Sequence, residues 1–116
     1  MNKNLGTEYR TAVIGLGLMG RRMLGTLAQH PKFEAVVGFD SHEPSLQTTS
    51  RQFGFEAASS VHALLQRDDL DLVYVATPPA SHIPIARRVL ERGLPLFLEK
   101  PLAANLDGAR EFVQWA

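Results

Sequence analysis

Short continuous apolar runs alternate along the chain with segments whose apolar residues recur at helical spacing. Thr11 to Leu16 is the first run, the length of a strand buried on both faces. From Met19 to about His30 the period changes. Met19, Met23, Leu24 and Leu27 share one helical face, and His30-Pro31 stops the helix. Phe33 to Phe39 returns to strand character and ends on Asp40. Pro44 opens a second helix that Gly54 closes, and a brief third strand is expected near Phe55 to Ala57. Ser60 is placed to cap a short helix over residues 61–67. Leu70 to Ala76 is the clearest buried strand, rich in β-branched and aromatic residues.

Thr77-Pro78-Pro79 breaks that strand. Ser81 is the expected N-cap of the next helix, which puts Pro84 in its first turn and Gly93 at its close. Ile85, Ala86, Val89 and Leu90 supply its apolar face. Pro95 to Glu99 is a fifth strand. Asn105 caps a last helix on which Ala109, Phe112, Val113 and Ala116 share a face. Strand and helix thus alternate without repeat, linker or low-complexity tract. That order predicts an α/β protein with a parallel sheet, helices on both faces in three layers, and right-handed crossovers. A polar leader over residues 1–9 and one domain over residues 10–116 are expected, since domains commonly hold about 100–200 residues.

Composition narrows the function classes. Twelve basic and twelve acidic residues balance to zero, whereas a dedicated nucleic-acid binder shows a basic surplus. There is no cysteine, which removes disulfides and thiolate metal sites and suits a reducing cytoplasm. His30, His42, His62 and His82 lie too far apart for a ligand spacing. Glu8 interrupts the leading segment, and no stretch approaches the ~18 apolar residues of a membrane span.

Chemistry concentrates at the predicted strand ends. Gly15, Gly17 and Gly20 form G-x-G-x-x-G between the first strand and the first helix, and Asp40 stands twenty positions beyond Gly20. Gly15 permits the tight turn, Gly17 lets a pyrophosphate approach the backbone, and Gly20 lets helix and sheet pack closely. The helix start at Leu18, Met19 and Gly20 offers free N–H groups and a positive dipole end. The alternative is a tight turn with no ligand. Asp40 would accept from the adenosine ribose hydroxyls and repel a 2′-phosphate, favouring NAD over NADP; a protonated His42 would soften that choice. Its alternative is a loop acid that caps the helix near Pro44. The whole pattern is that of a Rossmann-type doubly wound sheet in the order 3-2-1-4-5, with the sixth strand missing.

In such sheets ligands bind beyond the carboxyl ends of the strands. Thr77, Pro78 and Pro79 would line the cleft there. His82 is either part of it or a surface histidine at a helix end. Lys100, in the run Glu99-Lys100-Pro101, ends the fifth strand. It either points toward the cleft or forms a surface pair with Glu99 beside a turn-forming proline.

Four stretches together carry a resemblance: "AVIGLGLMGRRML", "VVGFD", "VYVATPPASHIPIA" and "LFLEKPLAANLDGARE". In that order and at those intervals the chain, from about Thr11 to Ala116, resembles the N-terminal domain of the Gfo/Idh/MocA oxidoreductases. That family includes glucose–fructose oxidoreductase and inositol dehydrogenase. The resemblance implies NAD or NADP as cofactor and a sugar, inositol or related polyol as substrate. It puts Gly15, Gly17 and Gly20 at the pyrophosphate, Asp40 at the ribose, and Thr77, Pro78, Pro79 and His82 near the nicotinamide-side ribose. Glu99 and Lys100 match the family's E-K-P motif, whose lysine orients the substrate hydroxyl and makes Lys100 the candidate catalytic residue. Family members add a second α+β domain that binds substrate, supplies an Asp/His pair and often mediates homo-oligomers. That domain lies outside this sequence, so cofactor binding without turnover is expected of it. Two other classes stay open: a non-enzymatic dinucleotide-sensing regulator, and an assembly fragment that pairs through its open sheet edge.

Overall fold

The computed structural model describes residues 9–98 and 106–115. Five parallel strands form one sheet in the order β3-β2-β1-β4-β5. They are β1 (Tyr9–Ile14), β2 (Phe33–Phe39), β3 (Glu56–Ala57), β4 (Leu72–Val75) and β5 (Leu96–Leu98). Five helices alternate with them: α1 (Leu18–Ala28), α2 (Glu43–Phe53), α3 (Val61–Leu65), α4 (Pro79–Glu91) and α5 (Leu106–Trp115). Order and direction are those expected of the doubly wound Rossmann-type sheet.

The apolar runs are continuous because the central strands are buried on both faces. The two-residue period of a strand nevertheless sorts their side chains. Ala12 and Ile14 of β1, with Val73 and Val75 of β4, join Leu64, Leu65 and Val89 in the core under α3 and α4. Val13 and Tyr74 point the other way, into the core that Leu24, Leu27 and Leu46 build under α1 and α2. Pairing of β1 with β2 shifts by one residue, so that Thr11 faces Ala35 while Ala12 faces Val37; Val36 is the extra residue of a β-bulge.

Several boundaries move from their expected places. β1 begins at Tyr9 rather than Thr11, because Tyr9 stacks on Phe33 with ring centroids 4.9 Å apart and its N–H donates to the Lys32 carbonyl. Ser81 does not cap α4. The helix starts at Pro79 with Pro78 as N-cap, and the Ser81 N–H and hydroxyl both donate to the Pro78 carbonyl at 2.9 and 3.0 Å. Pro84 therefore lies inside α4 rather than in its first turn. Met19 leaves the buried face of α1, at 40% exposure, and on α5 Phe112 is buried while Val113 is exposed. Ser60 does cap α3, accepting from Ala63 N–H at 2.9 Å, and Gly54 closes α2 at φ +76°. Asn105 and Ala116 lie outside the described residues.

Opposite ends of the sheet have opposite character. At the amino ends of the strands, Asp69 accepts from Arg67 Nε and Nη2 at 2.9 and 2.8 Å and from Arg10 Nη2 at 2.8 Å. Arg10 N–H also donates to Asp71 Oδ2 at 2.8 Å. The hydrogen bond from Arg67 is the main cause that holds the Asp69 carboxyl well below its usual range, and the same contact raises Arg67. The carboxyl ends of β1, β2 and β4 open into a cleft.

Candidate functional site

The turn after β1 is set by contacts in three directions. Gly15 has φ +97°, a left-handed conformation that glycine adopts without strain. A Cβ there would stand 2.6 Å from the Ala76 carbonyl carbon and 2.7 Å from Thr77 N. Gly15 N–H donates to the Phe39 carbonyl at 2.8 Å, and the next amide, of Leu16, donates to Asp40 Oδ2 at 2.7 Å. On the other side, Ala76 N–H donates to the Ile14 carbonyl at 2.8 Å. The turn is thus fixed to the ends of both neighbouring strands. A Cβ on Gly20 would overlap the Gly15 carbonyl, so that glycine lets α1 close onto the turn.

Gly17 differs from the other two. Its φ is −76°, open to any residue, and a Cβ there would meet nothing within 4 Å. The fold itself makes no demand for glycine at this position. It is exposed, forms the N-cap of α1 without a side-chain cap, and borders the cleft. No acidic residue lies in the first turn of α1, so nothing there offsets the positive end of the helix dipole.

The cleft has a volume of about 580 Å³. Among the predicted site residues, Gly15, Gly17, Leu18, Met19, Asp40, Thr77 and Pro78 line it. Gly20 supports it from behind; Pro79 and His82 do not line it. His82 is 1% exposed, which corrects the alternative of a surface histidine. Glu99, Lys100 and Pro101 lie outside the described residues. Ile14, Phe39 and Ala76 also line the cleft, and their places at strand ends could have marked them. Val61 of α3 and Ile85 of α4 come from elements whose approach only the packed structure reveals.

Chemically the cleft is an apolar trough with few polar groups. Asp40 is the one charged side chain among its described lining residues. Its Oδ1 also accepts from His42 N–H at 2.8 Å. His42 is the N-cap of α2: its Nδ1 accepts from Ser45 N–H at 3.3 Å and lies 2.8 Å from Ser45 Oγ. Capping of that helix therefore falls to His42, not to Asp40. Thr77 Oγ1 is buried without a hydrogen-bond partner among the described residues. Leu18, at 60% exposure, and Met19 present apolar side chains at the mouth. An uncapped helix start, a glycine the fold does not need, a carboxylate and an unsatisfied hydroxyl make a suitable setting for a ligand with a phosphate, hydroxyls and flat rings.

Comparison with known proteins agrees with this geometry. The sequence model of the GFO_IDH_MocA oxidoreductase family, described by its NAD-binding Rossmann fold, matches residues 9–116. The chain is 34% identical over 96 residues to a dTDP-3,4-didehydro-2,6-dideoxy-alpha-D-glucose 3-reductase of Streptomyces antibioticus, covering 83% of this chain and 29% of that protein. A myo-inositol dehydrogenase from Lactobacillus casei, solved with NAD(H) and myo-inositol, superposes with a TM-score of 0.86 at 29% identity, over 91% of this chain and 32% of that one. A 3-ketoreductase from Actinomadura kijaniata, solved with NADP, gives 0.81 at 30% identity, over 91% and 34%. The chain thus spans roughly a third of the length of the proteins it matches. Among the described residues no helix is long and apolar enough to cross a membrane. With the sheet order, the glycine turn and the family match in agreement, this chain belongs to the Gfo/Idh/MocA oxidoreductases and forms their NAD(P)-binding Rossmann domain.

Proposed function

We propose that the cleft receives NAD in preference to NADP, with the pyrophosphate over Gly17 and the start of α1 and the adenosine ribose against Asp40. The observation that carries this reading is the contrast among the glycines. Gly15 and Gly20 are required by the fold, whereas at Gly17 a side chain would project into open space at the cleft. A bare backbone there serves a ligand that must come close to it. Leu18, Met19, Thr77 and Pro78 complete the contacts, with Gly20, Pro79 and His82 holding the walls from behind.

The preference for NAD rests on charge. A 2′-phosphate beside Asp40 would meet a carboxylate, and the nearest imidazole, His42, is committed to α2. NADP stays the runner-up, since relatives solved with either cofactor share the fold. The nicotinamide of the bound dinucleotide supplies hydride chemistry. In the whole protein we assign reversible oxidation of a carbinol carbon in a sugar, inositol or related polyol, with Lys100 orienting the hydroxyl. A base from outside this sequence would take the proton. A cytoplasmic location and homo-oligomers fit that assignment.

Calorimetric titration of the 116-residue chain with NADH and NADPH tests the reading. NADH is expected to bind at least about tenfold more tightly than NADPH, a difference of about 1.4 kcal/mol. Absence of binding by both would overturn the dinucleotide site, and a preference for NADPH would overturn the role of Asp40.

A further inference from the structure

Asp40 is engaged before any ligand arrives. One carboxylate oxygen accepts from Leu16 N–H at 2.7 Å and the other from His42 N–H at 2.8 Å. Leu16 is 1% exposed, so water is a poor substitute partner for its amide. It sits between Gly15 and Gly17, inside the turn itself. Two consecutive amides of the turn are therefore anchored on the end of β2, Gly15 on the Phe39 carbonyl and Leu16 on the Asp40 side chain.

A carboxylate suits this post because both of its oxygens accept. Asparagine offers one acceptor, and its NH2 would face an N–H at the other position. We propose that Asp40 is a positioning residue for the glycine-rich turn. Its carboxylate, held between Leu16 N–H and His42 N–H, keeps the turn in the shape that receives a pyrophosphate, separately from any contact with ribose. This rests on the dinucleotide reading of the cleft. It has a consequence for specificity: a residue at position 40 without a side-chain acceptor strands the buried Leu16 amide and loosens the turn. Affinity for NADH and NADPH then falls together, and removing the acid does not by itself produce an NADPH-preferring protein.

The test compares the 116-residue chain with its Asp40→Ala and Asp69→Asn variants, the latter altered at the opposite end of the sheet. The first readout is hydrogen exchange at the Leu16 amide without ligand. Asp40→Ala is expected to speed it at least about tenfold beyond any change in Asp69→Asn. The second is binding of inorganic pyrophosphate, which has no ribose. A carboxylate acting only through its charge repels that anion, so its removal would leave binding equal or stronger. A carboxylate that shapes the turn predicts binding about tenfold weaker, with Asp69→Asn at the wild-type value.

Unchanged exchange at Leu16, or unchanged or stronger pyrophosphate binding, in Asp40→Ala overturns the proposal even where NADH affinity falls. Should Asp40→Ala not fold, Asp40→Ser carries the same readouts, because its shorter side chain withdraws the acceptor from Leu16 N–H. A loss of both protection and pyrophosphate affinity is expected there, and wild-type values for the two overturn the proposal. Failure of the underlying reading looks different: the wild-type chain then binds neither NADH nor pyrophosphate.

Discussion

At the residue scale, three glycines of one motif have three separate physical reasons, and substitution distinguishes them. Gly17→Val is expected to leave the thermal midpoint within a few degrees of wild type and to abolish NADH binding, since its Cβ meets no protein atom. Gly15→Ala meets both a positive φ and a backbone contact at 2.6 Å, and should cost more than about 2 kcal/mol in denaturant unfolding. Comparable stability losses in the two variants would remove the distinction. The motif and its acid were legible in the sequence because spacing and residue type are the signal. The staple from Asp40 to Leu16 N–H was not, because a side-chain-to-amide bond across neighbouring strands leaves no periodic trace.

At the element scale, sequence pattern located every strand and helix that the structure describes, and it erred at their ends. α4 is the instructive case. Ser81 is a strong N-cap residue by type, yet Pro78 and Pro79 start the helix, since proline is well suited to the first helical position. Pro84 then sits within the helix and leaves the Ala80 carbonyl without its usual donor four residues on. Pro84→Ala is expected to stabilise the chain by about 1 kcal/mol, read as a higher thermal midpoint. Ser60→Ala is expected to lower stability by about 1 kcal/mol through loss of the cap on Ala63 N–H. Helical spacing placed Met19 on the apolar face of α1 with Met23, Leu24 and Leu27. Its exposure at the cleft mouth reflects the first helical turn standing beyond the sheet, where periodicity continues but the core does not.

At the scale of the whole molecule, the sheet is held by charge at one end and opens to ligand at the other. Asp69 joins Arg10 at the start of β1 to Arg67 after α3, so it ties β1 to the segment leading into β4. Its folded-state pKa lies below the unfolded value of about 3.9, so its contribution is present above that pH and is lost as pH falls through the folded value. The upward Arg67 shift comes mainly from the same contact, so the pair is lost in acid when Asp69 takes up its proton and again only at strongly alkaline pH, when Arg67 loses its own. Asp69→Asn should therefore cost about 1 kcal/mol at neutral pH and flatten the fall of stability in acid, measured by unfolding from pH 7 to 2. An unchanged acid limb would show that the pair adds nothing. This network was hidden in the sequence because its members come from segments that only the parallel sheet brings together.

The bulge at Val36 has a consequence for the counting of residues. The interval between the glycine motif and its acid includes one residue that the pairing of β1 and β2 skips. A family aligned by spacing alone would treat that residue as an ordinary strand position. Deleting it would shorten the interval by one and leave an uninterrupted ladder, with Val37 still opposite Ala12 and Phe39 still opposite Ile14, so the acid would keep its place beside the turn. Val36 thus marks a place where the count between glycines and acid can change by one between relatives while the partner of the turn stays the same.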